Sequence, residues 1–175
     1  MIETEMKVRV ADLAALRTRL LAMGAVVAQE RHREENILYD FRDKRLTGKR
    51  EALRVRRIGR KTFLTFKGAP EKSRRFKIRT EYETEARNGR QLIRILQALD
   101  LAETVRYEKF RTVLRQGNLK ICLDETKAGN FAEFEGEREK IVRIARTLDM
   151  PQADWIRKSY LTLLREAGAI IPPAD

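Results

Sequence analysis

From Ile2 to Val10 the chain alternates, with Ile2, Thr4, Met6, Val8 and Val10 set against Glu3, Glu5, Lys7 and Arg9. A period of two is that of a strand, whose successive side chains point to opposite faces. Asp12 then caps a helix carrying Leu13, Leu16, Leu20 and Met23 at helical spacing, ended by Gly24. A second strand covers about Val26 to Tyr39, with a bend in its middle. The basic segment Arg42 to Arg50, with Gly48 inside it, reads as a loop. Ala52–Ile58 and Lys61–Lys67 are strands joined by a tight turn at Gly59-Arg60. Ala69 to Arg75, with Pro70, is a second charged loop, and alternation resumes over Phe76–Glu85. Asn88-Gly89 opens a helix whose predicted buried face is Leu92, Ile95, Leu96 and Leu99. Thr104–Arg115 and Leu119–Glu125 form a hairpin about Gly117-Asn118. Phe131–Glu135 is a short strand ending at Gly136. A helix with Ile141, Ile144, Ala145 and Leu148 follows and breaks near Pro151. Trp155 and Tyr160–Leu164 mark a last helical segment before the Pro172-Pro173 tail.

About eight strands with helices between them predict an α+β fold built on a closed antiparallel barrel. Eight strands enclose a lumen just wide enough for side chains or one small ligand. Charge decides which face is the lumen. Glu3, Glu5 and Lys7 share a strand face, as do Arg54 and Arg56, Thr65 and Lys67, and Lys109 and Arg111. Lys77, Arg79, Glu81, Glu83 and Glu85 form one charged row, and Lys120, Cys122 and Asp124 another; Glu133 pairs with Glu135. The opposite faces carry Met6, Val8, Leu53, Val55, Phe66, Ile78, Tyr82, Phe110, Ile121, Leu123 and Phe134. An ordinary sheet, wet outside and apolar inside, is one reading. Against it, helices are available to cover the apolar faces, and both charge signs occur in blocks. An inside-out barrel, apolar outside and charged within, accommodates the pattern. Its carboxylates would repel without a cation and its Lys and Arg would be costly without an anion. A metal–triphosphate complex satisfies both sets.

Composition narrows the ligand and the metal. Lys and Arg total 38 against 26 acids, a net charge of +12, which implies an anionic partner. With one His (His32) and one Cys (Cys122), a zinc site of the usual ligands is excluded, leaving carboxylates that favour Mg²⁺ or Mn²⁺. His32 is expected on the surface of the second strand. A lone cysteine, no signal-like start and no apolar run of membrane-spanning length make a cytoplasmic location the expectation. No repeat or linker divides the chain, so residues 1–175 read as one domain.

The segments Glu3-Thr4-Glu5-Met6-Lys7, Ala52-Leu53-Arg54-Val55-Arg56, Leu64-Thr65-Phe66-Lys67-Gly68, Arg79-Thr80-Glu81-Tyr82-Glu83, Tyr107-Glu108-Lys109-Phe110-Arg111, Leu123-Asp124 and Phe131-Ala132-Glu133-Phe134-Glu135 occur in this order. Together they resemble the CYTH superfamily, the triphosphate tunnel metalloenzymes, over residues 1 to about 164. The resemblance implies that Glu3, Glu5, Asp124, Glu133 and Glu135 bind Mg²⁺ or Mn²⁺. It implies that Lys7, Arg54, Arg56, Lys67, Arg79, Lys109 and Arg111 hold triphosphate, with Lys7 and Lys109 nearest the chemistry. Glu81 and Glu83 form a second acidic row, and Arg138 lies just past the barrel, either solvated or within reach of phosphate. The activities it implies are metal-dependent hydrolysis of a triphosphate compound or, alternatively, conversion of ATP to cyclic AMP and pyrophosphate. A non-catalytic polyphosphate- or RNA-binding module, using the loops Arg42–Arg50 and Lys72–Lys77, is the rival. The expected partner is a small-molecule triphosphate, with no membrane; monomer and homodimer stay open.

Overall fold

Eight strands close on themselves: β1 (Ile2–Arg9), β2 (Val26–Phe41), β3 (Ala52–Ile58), β4 (Lys61–Lys67), β5 (Lys77–Ala86), β6 (Leu101–Gln116), β7 (Leu119–Thr126) and β8 (Gly129–Glu135). The order around the barrel is β1-β5-β4-β3-β2-β6-β7-β8, and every pairing is antiparallel. Closure leaves no strand edge unpaired. The structure is a computed structural model and describes residues 2–170, so the Pro172-Pro173 tail lies outside the described residues.

The two-residue hairpins follow from glycine. Gly59 and Gly117 sit at the first turn position with φ of +55° and +56°, a conformation that a side chain would strain. The expected bend in β2 appears as slips in its ladder with β6, between Val27 and Gln29 and between Gln29 and His32. The Arg42–Arg50 segment is not wholly loop: α2 (Arg45–Gly48) is one helical turn. Asp40 holds it by accepting from the backbone N–H groups of Leu46 and Thr47 and from the Thr47 hydroxyl.

Residues opposite one another in a ladder point to the same face. The register therefore sends Glu5, Lys77 and Glu135 inward together, and Lys7 with Glu133, Arg54 with Thr65 and Glu83, and Arg111 with Asp124. Met6, Val8, Ile78, Ile121, Leu123 and Phe134 point outward. There α1 (Leu13–Ala22) and α4 (Arg138–Thr147) bury them with Leu16, Leu20, Ile141, Ile144 and Leu148. A second apolar cluster places α3 (Gly89–Ala98) and α2 over Ile37, Val55 and Leu101.

The helical cover is incomplete. Tyr82 is 63% exposed and stacks on Phe66, while Phe110 lies beneath the Arg31 guanidinium at 3.8 Å. On α3, Leu96 is buried and Leu92 partly so, but Ile95 and Leu99 are exposed. The helix meets the barrel along a narrower stripe than its sequence predicts. One end of the lumen is closed by α5 (Tyr160–Glu166), which packs Tyr160, Leu163 and Leu164 on Tyr107 and Phe131.

Candidate active site: a charged barrel lumen

The lumen holds a cavity of about 920 Å³. Of the residues expected at a site, Glu3, Glu5, Lys7, Arg54, Arg56, Lys67, Arg79, Glu81, Glu83, Lys109, Arg111, Glu133 and Glu135 line it. Asp124 lies behind that lining with no exposed surface. Arg138 does not reach the lumen; it opens α4 on the outside of the barrel.

The side chains form linked ion pairs. Lys67 bridges Glu3 (2.9 Å) and Glu81 (2.6 Å), and Lys77 contacts Glu5 at 2.6 Å. Arg56 joins Glu83 (2.7 Å) to Glu34 (3.4 Å), and the Thr65 hydroxyl donates to Glu83 at 2.6 Å. Lys120 meets Glu135 at 2.8 Å. Deepest is Asp124. It accepts from Arg111 through both Nε and Nη2, from Lys109 at 3.2 Å and from the Tyr160 hydroxyl at 2.5 Å. Lys7 is 1% exposed, contacts Glu133 at 3.1 Å and lies 4.1 Å above the Tyr160 ring.

Burial opposes the charges of Lys7, Glu133, Glu3 and Lys77, and pairing outweighs it only for the first two. For Lys7, burial opposes the charge, but Glu133, Glu5 and Asp124 outweigh it and hold the pKa above the ordinary value. Glu133 is likewise buried, and Lys7, Arg111 and Lys109 keep it ionised well below the usual carboxylate range. Glu3 goes the other way: burial and its neighbour Glu81 raise it despite Lys67. Lys77 is lowered by burial, with Lys7, Arg79 and Lys67 opposing what Glu5 restores. Burial raises the Cys122 thiol to about 11, so it packs as an inert wall residue.

Among the described residues several buried polar atoms of the lumen, the Nε atoms of Arg54 and Arg56 included, make no hydrogen bond. The Arg79 Nε and both amide atoms of the fully buried Asn36 are among them. Such groups are costly in a closed interior, and a bound ligand or water would satisfy them.

The residues present fit a hard divalent cation by donor chemistry. Glu5 and Glu135 face each other directly across the β1–β8 ladder, with Glu133 one inward position away on β8 and Glu3 on β1. Like charges so placed are unfavourable without a cation. As the side chains stand, each is drawn to a lysine, and among the described residues no three Asp, Glu, His or Cys converge on one point.

Sequence reasoning missed part of this constellation. Glu34, Asn36 and Tyr160 belong to it, as do Lys77 and Lys120, which alternation places on charged rows without a role. Glu34 contacts Lys109 at 3.5 Å and is 1% exposed. Alternation along β2 would have found Glu34 and Asn36, but the slips on either side of Gln29 break the period. Tyr160 comes from a helix beyond the barrel, where no strand pattern points. His32 is not on the surface: its side chain is 14% exposed, with Nε2 3.5 Å from Glu34. Glu34, a backbone carbonyl and Arg111 act on that ring, and its pKa is raised, chiefly by Glu34.

Glu34→Gln is expected to lower stability by about 3 kcal/mol at neutral pH, because Lys109 and Arg56 would lose a buried counter-charge. Burial opposes the Glu34 charge, but Lys109, Arg111, His32 and Arg56 outweigh it and depress its pKa far below the unfolded value. Its stabilisation is therefore complete above the unfolded carboxylate pKa of about 4.3 and drains as pH falls toward the folded one. Denaturant melts of both proteins from neutral pH downward should converge; a gap that widens in acid would exclude this role.

The family model for the CYTH domain matches residues 1–160. The chain belongs to the CYTH domain family. Its fold is shared by a structure from Vibrio parahaemolyticus named "putative adenylate cyclase", at TM-score 0.84 and 24% identity, covering 94% of this chain and 98% of that one. A protein of Methanocaldococcus jannaschii, also named "Putative adenylate cyclase", is 27% identical over 174 residues, 93% of this CYTH chain and 98% of its own length. A structure from Hippeastrum, described as a "putative adenylyl cyclase" with a dominant triphosphatase activity, superposes at TM-score 0.67 with 20% identity over 97% of this chain and 98% of that one. No helix among the described residues is long and apolar enough to cross a membrane.

Proposed function

We propose that this CYTH barrel is a metal-dependent triphosphatase that takes the triphosphate of a small molecule into its lumen. The charge balance of the lumen carries this reading. The barrel wall brings nine basic side chains (Lys7, Arg54, Arg56, Lys67, Lys77, Arg79, Lys109, Arg111 and Lys120) together with eight carboxylates (Glu3, Glu5, Glu34, Glu81, Glu83, Asp124, Glu133 and Glu135), and Lys44, Arg50, Arg157, Lys158 and Arg165 line the same cavity with Asp40, Glu51 and Glu71. That modest basic excess grips phosphate oxygens at many points but does not by itself neutralise a triphosphate. Divalent cations supply the difference.

Glu3, Glu5, Glu133 and Glu135 would hold the Mg²⁺ or Mn²⁺. When bound there, the ion supplies Lewis-acid neutralisation of phosphate oxygens. Arg54, Arg56 and Arg79 offer guanidinium forks for bidentate phosphate contacts, and Lys67 and Arg111 add charge beside them. Lys7 and Lys109 are buried against Tyr160, at 4.1 and 4.6 Å from its ring. Held protonated by its acidic neighbours, Lys7 serves as a fixed positive charge and not as a base. Asp124, enclosed by Arg111, Lys109 and Tyr160, acts as a positioning residue for both cations. Fixed charges in a closed lumen need no reorganisation as charge moves, which is the main requirement of phosphoryl transfer.

Hydrolysis is preferred because water needs no base or ribose pocket, whereas cyclisation requires a ribose hydroxyl held in line with the α-phosphate. The dominant triphosphatase activity of the Hippeastrum protein supports this. The cyclase reading draws on the name of the M. jannaschii relative and on a cavity of about 920 Å³, roomy enough for a nucleoside beside its phosphates. Incubating inorganic triphosphate and ATP separately with Mg²⁺ or Mn²⁺ and resolving the products decides between them. Orthophosphate from triphosphate should appear faster than any cyclic AMP from ATP. Cyclic AMP and pyrophosphate as dominant products, with triphosphate intact, would install the cyclase.

A further inference from the structure

Outside the barrel, a second cleft of about 810 Å³ separates the β4–β5 loop from α4. Arg74 and Arg75 enter it from the loop, and Arg138, Arg143 and Arg146 from the helix. All five are exposed. Among the described residues none of the five guanidinium groups has an ion pair or hydrogen bond, whereas most lumen cations are paired. Glu139 is the one acid in the lining. Arginines gathered without counter-charge repel one another, so the arrangement favours an anion that spans them.

The lining also says which anion. It holds no exposed aromatic ring, since Phe76 is buried against Trp155. Single-stranded nucleic acid is ordinarily held by stacking as well as charge, and nothing here offers a stacking platform. From Arg138 to Arg146 the helix rises about 12 Å, longer than a single phosphate can bridge. Ser73 and Phe76 form a wall common to this cleft and the lumen, and Arg157 fixes that wall by donating to the Ser73 carbonyl at 2.7 Å.

From these observations we infer that the arginine cleft is a second anion site, separate from the lumen, that binds an extended phosphate chain such as inorganic polyphosphate. Guanidinium forks from loop and helix would grip successive phosphates, the Ser73 hydroxyl would add a hydrogen bond, and no base would be read. The inference does not depend on what the lumen catalyses.

The test titrates the whole protein with medium-chain inorganic polyphosphate, in EDTA to prevent turnover. Wild type should show two classes of site. Arg143→Glu with Arg146→Glu should retain one, the other weakened by at least about tenfold, the effect of losing charge-assisted contacts. Both positions are exposed and leave the buried face of α4 untouched. The milder pair Arg143→Gln with Arg146→Gln guards against misfolding and should weaken the same class less. Triphosphate hydrolysis should be unaltered in all three proteins. If wild type and both variants show the same classes of site, the inference is wrong. If single-stranded or duplex DNA displaces polyphosphate from the arginine-dependent class at equal charge concentration, the cleft is a nucleic-acid groove and the inference is overturned. Loss of the arginine-dependent class with no hydrolysis in any protein would instead sink the triphosphatase proposal and leave this site standing.

Discussion

Glu5→Gln and Glu135→Gln should each cut metal-dependent triphosphate hydrolysis by at least about a hundredfold, a loss comparable to deleting one preorganised electrostatic contact to a transition state. Stability should move little in Glu135→Gln, whereas Glu5→Gln also strips the buried Lys77 of its counter-charge and should cost more. Glu5 and Glu135 face each other across one rung, so removing either charge relieves a repulsion while freeing one lysine, Lys77 or Lys120. The Lys120–Glu135 pair is about one-third exposed, and such pairs contribute about 0–1 kcal/mol. EDTA should abolish wild-type turnover. Ca²⁺ should inhibit, because its looser coordination misplaces the phosphates. Steady-state rates with Mg²⁺ and Mn²⁺, beside thermal melts of each variant, test all of this. Full turnover in EDTA would remove the metal from the proposal, and unfolding of both variants would make these acids structural.

Asp124→Asn should be costly to the fold as well as to activity. The carboxylate has no exposed surface and sits among Arg111, Lys109 and Tyr160. Removing one partner of a buried ionic cluster leaves the others uncompensated, at about 3–5 kcal/mol. For a chain of this size that corresponds to a fall in Tm of roughly 10 °C. Tyr160→Phe keeps the ring against Lys7 and Lys109 and deletes one hydrogen bond to a carboxylate, so it should cost less, about 2 kcal/mol. The comparison separates two roles. A positioning residue shows its stability loss in the metal-free protein. If Asp124→Asn leaves metal-free stability unchanged while weakening Mn²⁺ binding, Asp124 belongs with the metal ligands instead.

The fold was legible because strand alternation is local. Glu3 and Glu5 against Met6 and Val8, or Arg54 and Arg56 against Leu53 and Val55, announce a charged and an apolar face without knowledge of any partner strand. The hairpin glycines declare their turns for the same reason. Exceptions arise where a distant surface decides. Ile95 and Leu99 have the spacing of a buried helix face, but only Leu92 and Leu96 pack on the barrel and the other two are exposed. Arg45–Gly48 forms a helical turn because Asp40, from the preceding strand, caps it.

By itself, then, the sequence determined which strands exist, which residues share a face, and that acids and bases line one side in blocks. Those properties depend on a period of two and need no tertiary information. Tertiary structure alone decided who meets whom. Closure sets Glu5 against Glu135, the displaced register of β2 brings Glu34 beneath Lys109, and the return of α5 places Tyr160 on Asp124. It also gathered Arg74 and Arg75 with Arg138, Arg143 and Arg146, residues far apart along the chain, into one cleft. The physical reason is that an ion pair is a property of distance in space, and spacing along the chain does not encode that distance until the barrel closes.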